Sequence, residues 1–434
     1  MTVPLCILLA SLPAAPVFAE VVGDGEAWVG APIHYEEEAR EDRVSDLRAA
    51  LADGTASPTW DENLGWLPAV LEEFGVLPSS QVLVFSKTSF QPSLISPATP
   101  RALYFGDDVY LGWVPGAPVM EITSIDPVQG ATFYTLDQDP AGLRFVRKDE
   151  ACLDCHGSPR THDWPGNLVR SVHPGADGEP ILSSGTFRTT DASPLSERWG
   201  GWYVTGTHGD QRHMGNTLVN EEAGERFVSL QPGANLTDLS QLFDVTGYLV
   251  PHSDIVALMV LEHQAEMHNV IARASYEARL AAAYQLKMNR FFDEPPEHVS
   301  DSTRRRYRHA AERVVDHLLF RCEAGLEGQV RGTSCFSGEF AAAGRRDGGG
   351  RSLRDFDLQR RLFRFPCSFL IHSRAFEALP PTVLEVVWSE LWDILAGREV
   401  SRDFSHLSGA DRAAILAILR ATHSGLPDSW RSAE

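Results

Sequence analysis

Two cysteines and a histidine stand together in the sequence CLDCH. Cys152 and Cys155 are separated by two residues, and His156 follows directly. Covalent haem attachment needs two thiols that reach the vinyl groups of a porphyrin and an imidazole that binds the iron, and a C-x-x-C-H unit supplies all three. Chance gives roughly 0.003 such units in a chain of this cysteine and histidine content. We therefore predict one covalent haem c, with His156 as its proximal iron ligand.

Three other chemistries are open to the same residues. A thioredoxin-like dithiol would place the motif at the start of a helix in a βαβ unit, but the strands upstream of it are predicted to be antiparallel. A structural zinc site needs more ligands, and the next cysteine downstream is Cys322, so histidines would have to supply them. A disulfide between Cys152 and Cys155 would leave His156 without a role. Haem attachment is favoured over all three.

CLDCH resembles the attachment site of c-type cytochromes. The segments PRALYF, GWYVTGTHG and HMGN are similar to a group of uncharacterised bacterial exported proteins with a single cytochrome c attachment site. The resemblance implies that Cys152 and Cys155 are bound to haem through thioethers and that His156 is the proximal ligand. It implies no particular activity. The chain is several times larger than the small electron carriers, and its motif follows strands instead of a short N-terminal helix.

The segment THGDQRHMGN contains three residues that could bind the other face of the iron. Met214 is predicted first, His213 second and His208 third. A loop can bring a side chain to the iron without distorting a helix, and a methionine thioether raises the reduction potential of a haem. The alternative is a polar turn with an ordinary pair of histidines.

A second polar cluster, in LEHQAEMHN, lies on a predicted helix. At about 100° per residue, Glu262, Glu266 and Arg273 fall in one narrow stripe, with His263 on an adjacent face and His268 on another. The stripe is either the solvent face of the helix or the wall of a pocket beside the haem, where these groups could hold propionates or move protons. The five residues are therefore second-tier candidates for the site.

The elements that must position these residues change in type along the chain. Residues 20–80 are predicted to form an N-terminal helical segment. From residue 81, QVLVFSKTSF, RALYF, VYLGWV, VMEITSID and ATFYTLDQ are short β-branched and aromatic runs separated by turn signals. They predict an antiparallel meander of about five strands that leads into the motif. Residues 81–250 are thus predicted to form a β-rich haem c domain.

The chain becomes helical after residue 250. The longest periodic segment starts at SDIVALMV, where Ser253 is predicted to be the N-cap, and residues 251–434 are predicted to form a helical domain. The predicted fold class is α+β, with an antiparallel meander that carries the haem c site followed by an all-helical C-terminal half.

The charge of the chain excludes two classes of partner. The 434 residues include 38 Lys and Arg against 59 Asp and Glu, which gives a net charge of −21. No polyacidic run concentrates this charge, so it is spread over the surface. Nucleic acid and anionic membrane surfaces are therefore not expected as partners. The sequence does not identify the redox partner.

The N-terminus is typical of an exported protein. Residues 3–19 carry no charge, and Val17, Phe18 and Ala19 form a small-x-small pattern, which predicts a signal peptide over residues 1–19. No later run reaches the roughly 18 apolar residues of a membrane span. We expect a periplasmic or otherwise exported chain. In that oxidising compartment Cys322 and Cys335 either form a disulfide, which leaves Cys367 buried and unpaired, or all three remain inert buried thiols.

Three functions are consistent with one attached haem. Electron transfer, without turnover of a substrate, is favoured, with the helical half as a docking or structural domain. A haem-dependent peroxidase or oxygenase would need an open or weakly bound distal site. A haem-based sensor would use the strand meander as a ligand-binding module. A strong distal ligand favours the first function, and a five-coordinate iron favours the other two.

Overall fold

The structure, a computed structural model, describes residues 28–36, 40–222, 225–398 and 402–432. The predicted signal peptide lies outside the described residues. The helices are α1 Arg43–Asp53, α2 Leu67–Phe74, α3 Asp149–His156, α4 Ile255–Phe292, α5 Asp301–Leu318, α6 Phe336–Ala342, α7 Arg374–Glu377, α8 Pro381–Leu395, α9 Gly409–Thr422 and α10 Asp428–Ser432. The strands are β1 Val82–Val84, β2 Arg101–Phe105, β3 Val109–Trp113, β4 Val119–Asp126, β5 Gly130–Asp137, β6 Phe145–Arg147, β7 Arg170–Val172, β8 Thr186–Arg188, β9 Trp202–Tyr203, β10 Asn220–Glu222 and β11 Glu225–Phe227.

An antiparallel sheet dominates the first half of the chain. Among the described residues its seven strands follow the order β6-β5-β4-β3-β2-β1-β9. The strands from β2 to β5 pair with their neighbours in sequence through short turns, and Gly130 opens β5 at a φ of 68°, which only glycine adopts easily. After the motif the chain returns to the sheet, and β9 pairs with β1 through Tyr203 and Leu83. The predicted meander and the α+β class are confirmed.

The two faces of this sheet pack against different helices because successive side chains of a strand point to opposite sides. Leu111 and Ile122 are adjacent partners on one face. They belong to a buried apolar cluster with Leu67 of α2. Tyr110 and Phe133 project from the other face and share an apolar cluster with α4. This second face is the one that the CLDCH motif approaches.

Helix α4, with 38 residues, runs beside the second face. Its N-cap is Asp254, whose carboxylate accepts the N–H groups of Val256 at 2.8 Å and Ala257 at 3.3 Å. The prediction of Ser253 as the N-cap is wrong by one residue. The Ser253 hydroxyl donates instead to the backbone oxygen of Tyr203 at 2.6 Å, because the chain crosses the end of β9 just before the helix starts.

Helices occupy most of the chain after α4, as the sequence predicts. Helix α5 packs along α4, and α8 packs against α5. Helix α9 begins with a capping box formed by Ser408 and Asp411, which satisfies backbone donors of its first turn. In the described part of the chain, no helix combines the length and the apolar character that crossing a membrane requires.

The cysteines outside the motif match neither of the two predicted alternatives in full, because two of the three are exposed. Within the described residues Cys322 and Cys335 are not joined to each other, and both are exposed. Cys335 lies at the N-terminus of α6. Cys367 is fully buried, and its burial raises the pKa of its thiol to about 12, which makes it an apolar packing residue.

Candidate functional site

A cavity of about 530 Å³ lies between the second face of the sheet, α3, α4 and the chain segment 167–182. Binding sites for small molecules and cofactors typically measure about 300–1,000 Å³. Cys152, Cys155 and His156 all line it. Other lining residues include Val84, Lys87, Phe90, Arg101, Leu103, Tyr110, Gly112, Glu121, Phe133, Arg160, Asn167, Val169, Arg170, Glu179, Leu182, Trp202, Leu261 and Ala265. Strands, helices and the segment after the motif thus build one site around the motif.

His156 is held in one orientation and one tautomer. Its Nδ1 lies 2.8 Å from the backbone oxygen of Gly166. Because a carbonyl oxygen only accepts, Nδ1 carries the proton and Nε2 keeps its lone pair. The ring packs against Phe133, with 4.9 Å between the ring centroids. Burial lowers the pKa of His156, so the imidazole is neutral. A neutral, oriented imidazole of this kind is the form that binds a metal through Nε2.

Asn269 of α4 fixes the segment that orients His156. Its Oδ1 accepts the N–H of Asn167 at 2.8 Å, and its Nδ2 donates to the backbone oxygen of Asn167 at 2.7 Å. A side chain at position 166 would overlap with Asn269 Oδ1, so the close approach requires Gly166. A short series of hydrogen bonds therefore connects α4 to the orientation of His156.

Helix α3 places the thiols where a redox dithiol is not expected. Reactive dithiols lie at a helix N-terminus, where the positive end of the helix dipole lowers the thiol pKa. Cys152 and Cys155 are instead the fourth and seventh of the eight residues of α3, which ends at His156. Burial, together with the nearby carboxylates of Glu121 and Asp149, raises the pKa of Cys152 to about 12. The thioredoxin-like alternative is therefore disfavoured.

The number of ligands disfavours zinc. Over the ranges that the structure describes, no group of three His, Cys, Asp or Glu side chains could hold a metal ion. A structural zinc site needs four protein ligands. The porphyrin of a haem brings four nitrogen ligands of its own, so the protein supplies only the axial ones. One oriented imidazole, His156, is enough for haem and too few for zinc.

The walls of the cavity fit a large group that is partly apolar and partly anionic. Leu103, Phe133 and Trp202 give it apolar surfaces. At its mouth, Phe90 and Leu182 are 48% and 69% exposed. A porphyrin ring in the cavity would have apolar contacts on several sides and would remove part of this exposed apolar surface from water.

Two buried donors in the same walls have no hydrogen-bond partner. They are Nε of Arg101 and Nε of Arg170. A buried donor without an acceptor costs about 1–3 kcal/mol, so a guest that brings acceptors is favoured. Haem carries two carboxylates as well as an apolar ring. The residues present therefore fit a haem c in this cavity.

Tyr110 links the cavity to one of the second-tier residues. Its hydroxyl lies 2.8 Å from Nδ1 of His268 and accepts a hydrogen bond from Nε2 of Gln264 at 3.0 Å. Burial lowers the pKa of His268 to about 3, so its ring is neutral. His268 thus contacts a residue of the cavity wall but does not face the cavity.

The polar stripe of α4 holds the segment that follows the motif. Glu262 forms an ion pair with Arg198 at 2.8 Å, Glu266 pairs with Arg188, and Arg273 pairs along the helix with the residue four positions on. Glu262 is 0% exposed and Glu266 is 6% exposed, so the stripe is not the solvent face. In the described structure the cavity wall does not include Glu262, His263, Glu266, His268 or Arg273.

His263 takes part in a buried relay that has the residue types of a hydrolase triad. Its Nδ1 lies 3.2 Å from Oδ2 of Asp191, and its Nε2 lies 2.8 Å from Oγ of Ser368. Ser368 is 0% exposed, and its hydroxyl also caps a short helical turn by accepting the N–H of Leu370. Because this hydroxyl is fully buried, we interpret the relay as a connection between the two halves of the chain.

The three predicted distal ligands lie outside the cavity wall. Met214 is 5% exposed, and its Sδ accepts a hydrogen bond from Ser171 at 3.6 Å. His213 packs against His208 and Trp199, with ring centroids 4.7 and 5.2 Å away. Burial lowers the pKa of His213 to about 3. The loop brings the two histidine rings together, but none of the three side chains is part of the cavity wall that contains His156.

The chain was compared with protein-family models, with curated proteins and with solved structures, and none of them matches it. Any function therefore rests on the geometry of the cavity. Sequence reasoning missed Arg101, Tyr110, Asn167 and Arg170. Period-two alternation could have placed Arg101 and Tyr110 on one sheet face, but no local signal marks the other two.

Replacing Asn269 tests its effect on His156. In Asn269→Ala the backbone groups of Asn167 lose their partners, and we expect the free energy of unfolding to fall by about 1–3 kcal/mol. The bond from His156 to Gly166 should weaken, which makes the imidazole a poorer donor and raises the reduction potential of an attached haem. Urea denaturation and redox titration measure the two effects.

A matched control is Asn289→Ala, on the same helix. Asn289 is also buried, and it donates to the backbone oxygens of Pro295 and His298. We expect it to lower stability in a similar way without changing the potential. Equal potentials in the two variants would show that Asn269 is structural only.

Proposed function

We propose that this chain is an exported protein that binds one haem c through Cys152, Cys155 and His156, and that it transfers electrons. The observation that carries the proposal is the fixed tautomer of His156. Its Nδ1–H is bound by Gly166, so Nε2 is available in the same cavity that both thiols line. Attachment of haem c takes place outside the cytoplasm, which supports export with cleavage after Ala19.

The position of α3 supports electron transfer. When bound, the haem supplies a one-electron redox couple. Cys155 and the neighbouring Asp154 are exposed, so the attachment edge would lie at the surface, where a redox partner can approach. His156 would hold the iron, and Phe133 and Trp202 would exclude water from the ring. The partner is a protein that the sequence does not identify.

A second candidate function is binding of a small ligand at the iron, as in a haem-based sensor or a haem-dependent oxidoreductase. One observation favours it. Among the described residues that line the cavity, His156 is the single histidine, and no methionine is present. The cavity wall would then supply no iron ligand besides His156, and a bound haem would be able to take water or a small exogenous ligand.

Optical spectra of the protein, produced with a c-type maturation system, test both functions. We expect the bands of a covalent haem c in both oxidation states. We expect Met214→Ala to leave them unchanged, because Met214 Sδ lies under the Ser171 hydroxyl outside the cavity wall. Carbon monoxide should bind the reduced protein if the distal position is open.

Three other outcomes of these measurements lead to different conclusions. A low-spin spectrum that Met214→Ala converts to high spin would establish Met214 as the distal ligand, as the sequence predicts. If the reduced protein does not bind carbon monoxide, electron transfer remains the function that the spectra support. A colourless protein loaded with zinc would contradict the haem proposal altogether.

A further inference from the structure

Two arginines at the cavity lack the carboxylate partners that its other cations have. Arg101 pairs with Glu121 at 2.7 Å, and Lys87 pairs with Asp177 at 3.0 Å. Within the described residues Arg160 and Arg170 form no salt bridge. The guanidinium group of Arg170 donates one weak hydrogen bond, to the hydroxyl of Thr186 at 3.4 Å. In a chain with a net charge of −21, carboxylates are abundant, so two unpaired guanidinium groups at one cavity call for an explanation.

The positive charges of the two guanidinium groups also act on each other. Burial, followed by the charge of Arg160, lowers the pKa of Arg170. Both residues line the cavity, and Nε of Arg170 is buried without an acceptor. Two neighbouring positive charges repel each other unless an anion lies between them, and a carboxylate matches the fork of donors on a guanidinium group.

We propose that Arg160 and Arg170 bind a propionate carboxylate of the haem. This inference rests on the proposed function, because the propionate belongs to the haem that Cys152, Cys155 and His156 would hold. The carboxylate would satisfy Nε of Arg170 and neutralise the pair. Both arginines belong to the segment that follows the motif. Residues 152–170 would therefore provide both the attachment of the haem and the binding of its carboxylate.

The proposal predicts a preference between two ligands that differ only in their carboxylates. In the full chain carrying Cys152→Ala and Cys155→Ala, haemin can bind only reversibly. We expect it to bind about tenfold or more tightly than haemin dimethyl ester, which lacks the two charges. Adding the Arg160→Gln and Arg170→Gln substitutions should remove most of this preference. The affinity for haemin should fall, and the affinity for the ester should stay nearly unchanged.

A control variant tests whether the position of the lost positive charge matters. Arg144→Gln removes one positive charge from an exposed pair with Asp137, outside the cavity wall, and should keep the preference. If the arginine variants keep it as well, the inference is overturned while haem binding stands. If neither haemin nor its ester binds, the proposed function is itself overturned.

The covalently loaded protein gives a second measurement that does not depend on reversible binding. Loss of a positive charge next to a propionate favours the ferric state, so Arg170→Gln should lower the reduction potential relative to Arg144→Gln. Equal potentials in these two variants would contradict the inference.

Discussion

Replacement of both Cys152 and Cys155 by alanine is expected to abolish covalent haem attachment completely. Each thiol would form one thioether, so each single variant should keep one bond and the double variant none. After denaturation and extraction with acidic acetone, haem should remain with the wild-type protein and the single variants, and should leave the double variant. Mass spectrometry of the denatured chains measures the attached mass directly.

The control for this experiment is Cys335→Ala. Cys335 is exposed and lies at the start of α6, outside the cavity wall, so its removal should leave attachment intact. The result also separates the alternative chemistries. Haem that is fully extractable from the wild-type protein would contradict thioether bonds. A mass two protons lower, reversed by reductant, would indicate a disulfide between Cys152 and Cys155.

Local sequence was enough to predict the attachment unit and most of the elements around it. CLDCH places its three functional groups within one helical turn, so no long-range information is needed to bring them together. The meander could be predicted because β-branched runs alternate with turn signals. The start of α4 was predicted one residue early because Ser253 and Asp254 are both good caps, and only the approach of Tyr203 decides between them.

The cavity itself could not be predicted, because its walls come from distant parts of the chain. Arg101 and Tyr110 reach it through the register of the sheet, and Leu261 reaches it through the packing of α4. A list of residues on one helix face does not say what that face packs against. The stripe with Glu262 illustrates this limit, since its charges are buried against the segment that follows the motif.

The distal-ligand prediction illustrates a second limit. His208, His213 and Met214 are close in sequence, and the rings of the two histidines are in contact. Density of ligand-type residues in a loop says nothing about the direction in which the loop faces. The backbone N–H of Met214 donates to the backbone oxygen of Arg198 at 2.9 Å. Because Arg198 is paired with Glu262 of α4, this hydrogen bond holds the loop near α4. Whether Met214 binds iron stays a prediction that its alanine variant tests.

The ion pair between Arg198 and Glu262 carries the largest stability effect that we expect. Arg198 Nη1 and Glu262 Oε2 are 2.8 Å apart, with side chains 4% and 0% exposed. The guanidinium group also donates to the backbone oxygens of Asp191 and Ser193. It therefore joins the segment after the motif to α4. Without the guanidinium group, these two backbone oxygens and the Glu262 carboxyl lose their donors, and each buried acceptor left unsatisfied costs about 1–3 kcal/mol.

We expect Arg198→Met to lower the free energy of unfolding by about 3 kcal/mol or more at neutral pH, because three buried acceptors lose their donor. Burial raises the pKa of Glu262 in the folded chain despite Arg198, so folding favours the protonated carboxyl. The stability that this proton provides is complete below the unfolded pKa of about 4.5 and declines as the pH rises above it. Loss of Arg198 raises the folded pKa further, and the cost of Arg198→Met should therefore be larger at pH 8 than at pH 5.

Urea denaturation at those two pH values, with two further variants, checks the sign. Glu262→Gln keeps an acceptor for Arg198 but cannot ionise, so its stability relative to wild type should improve as the pH rises. Arg144→Met breaks an exposed pair and should cost less than about 1 kcal/mol at either pH. If Arg198→Met costs no more than this exposed control, the pair does not hold the segment to α4. If its cost is the same at both pH values, Glu262 does not carry the raised pKa.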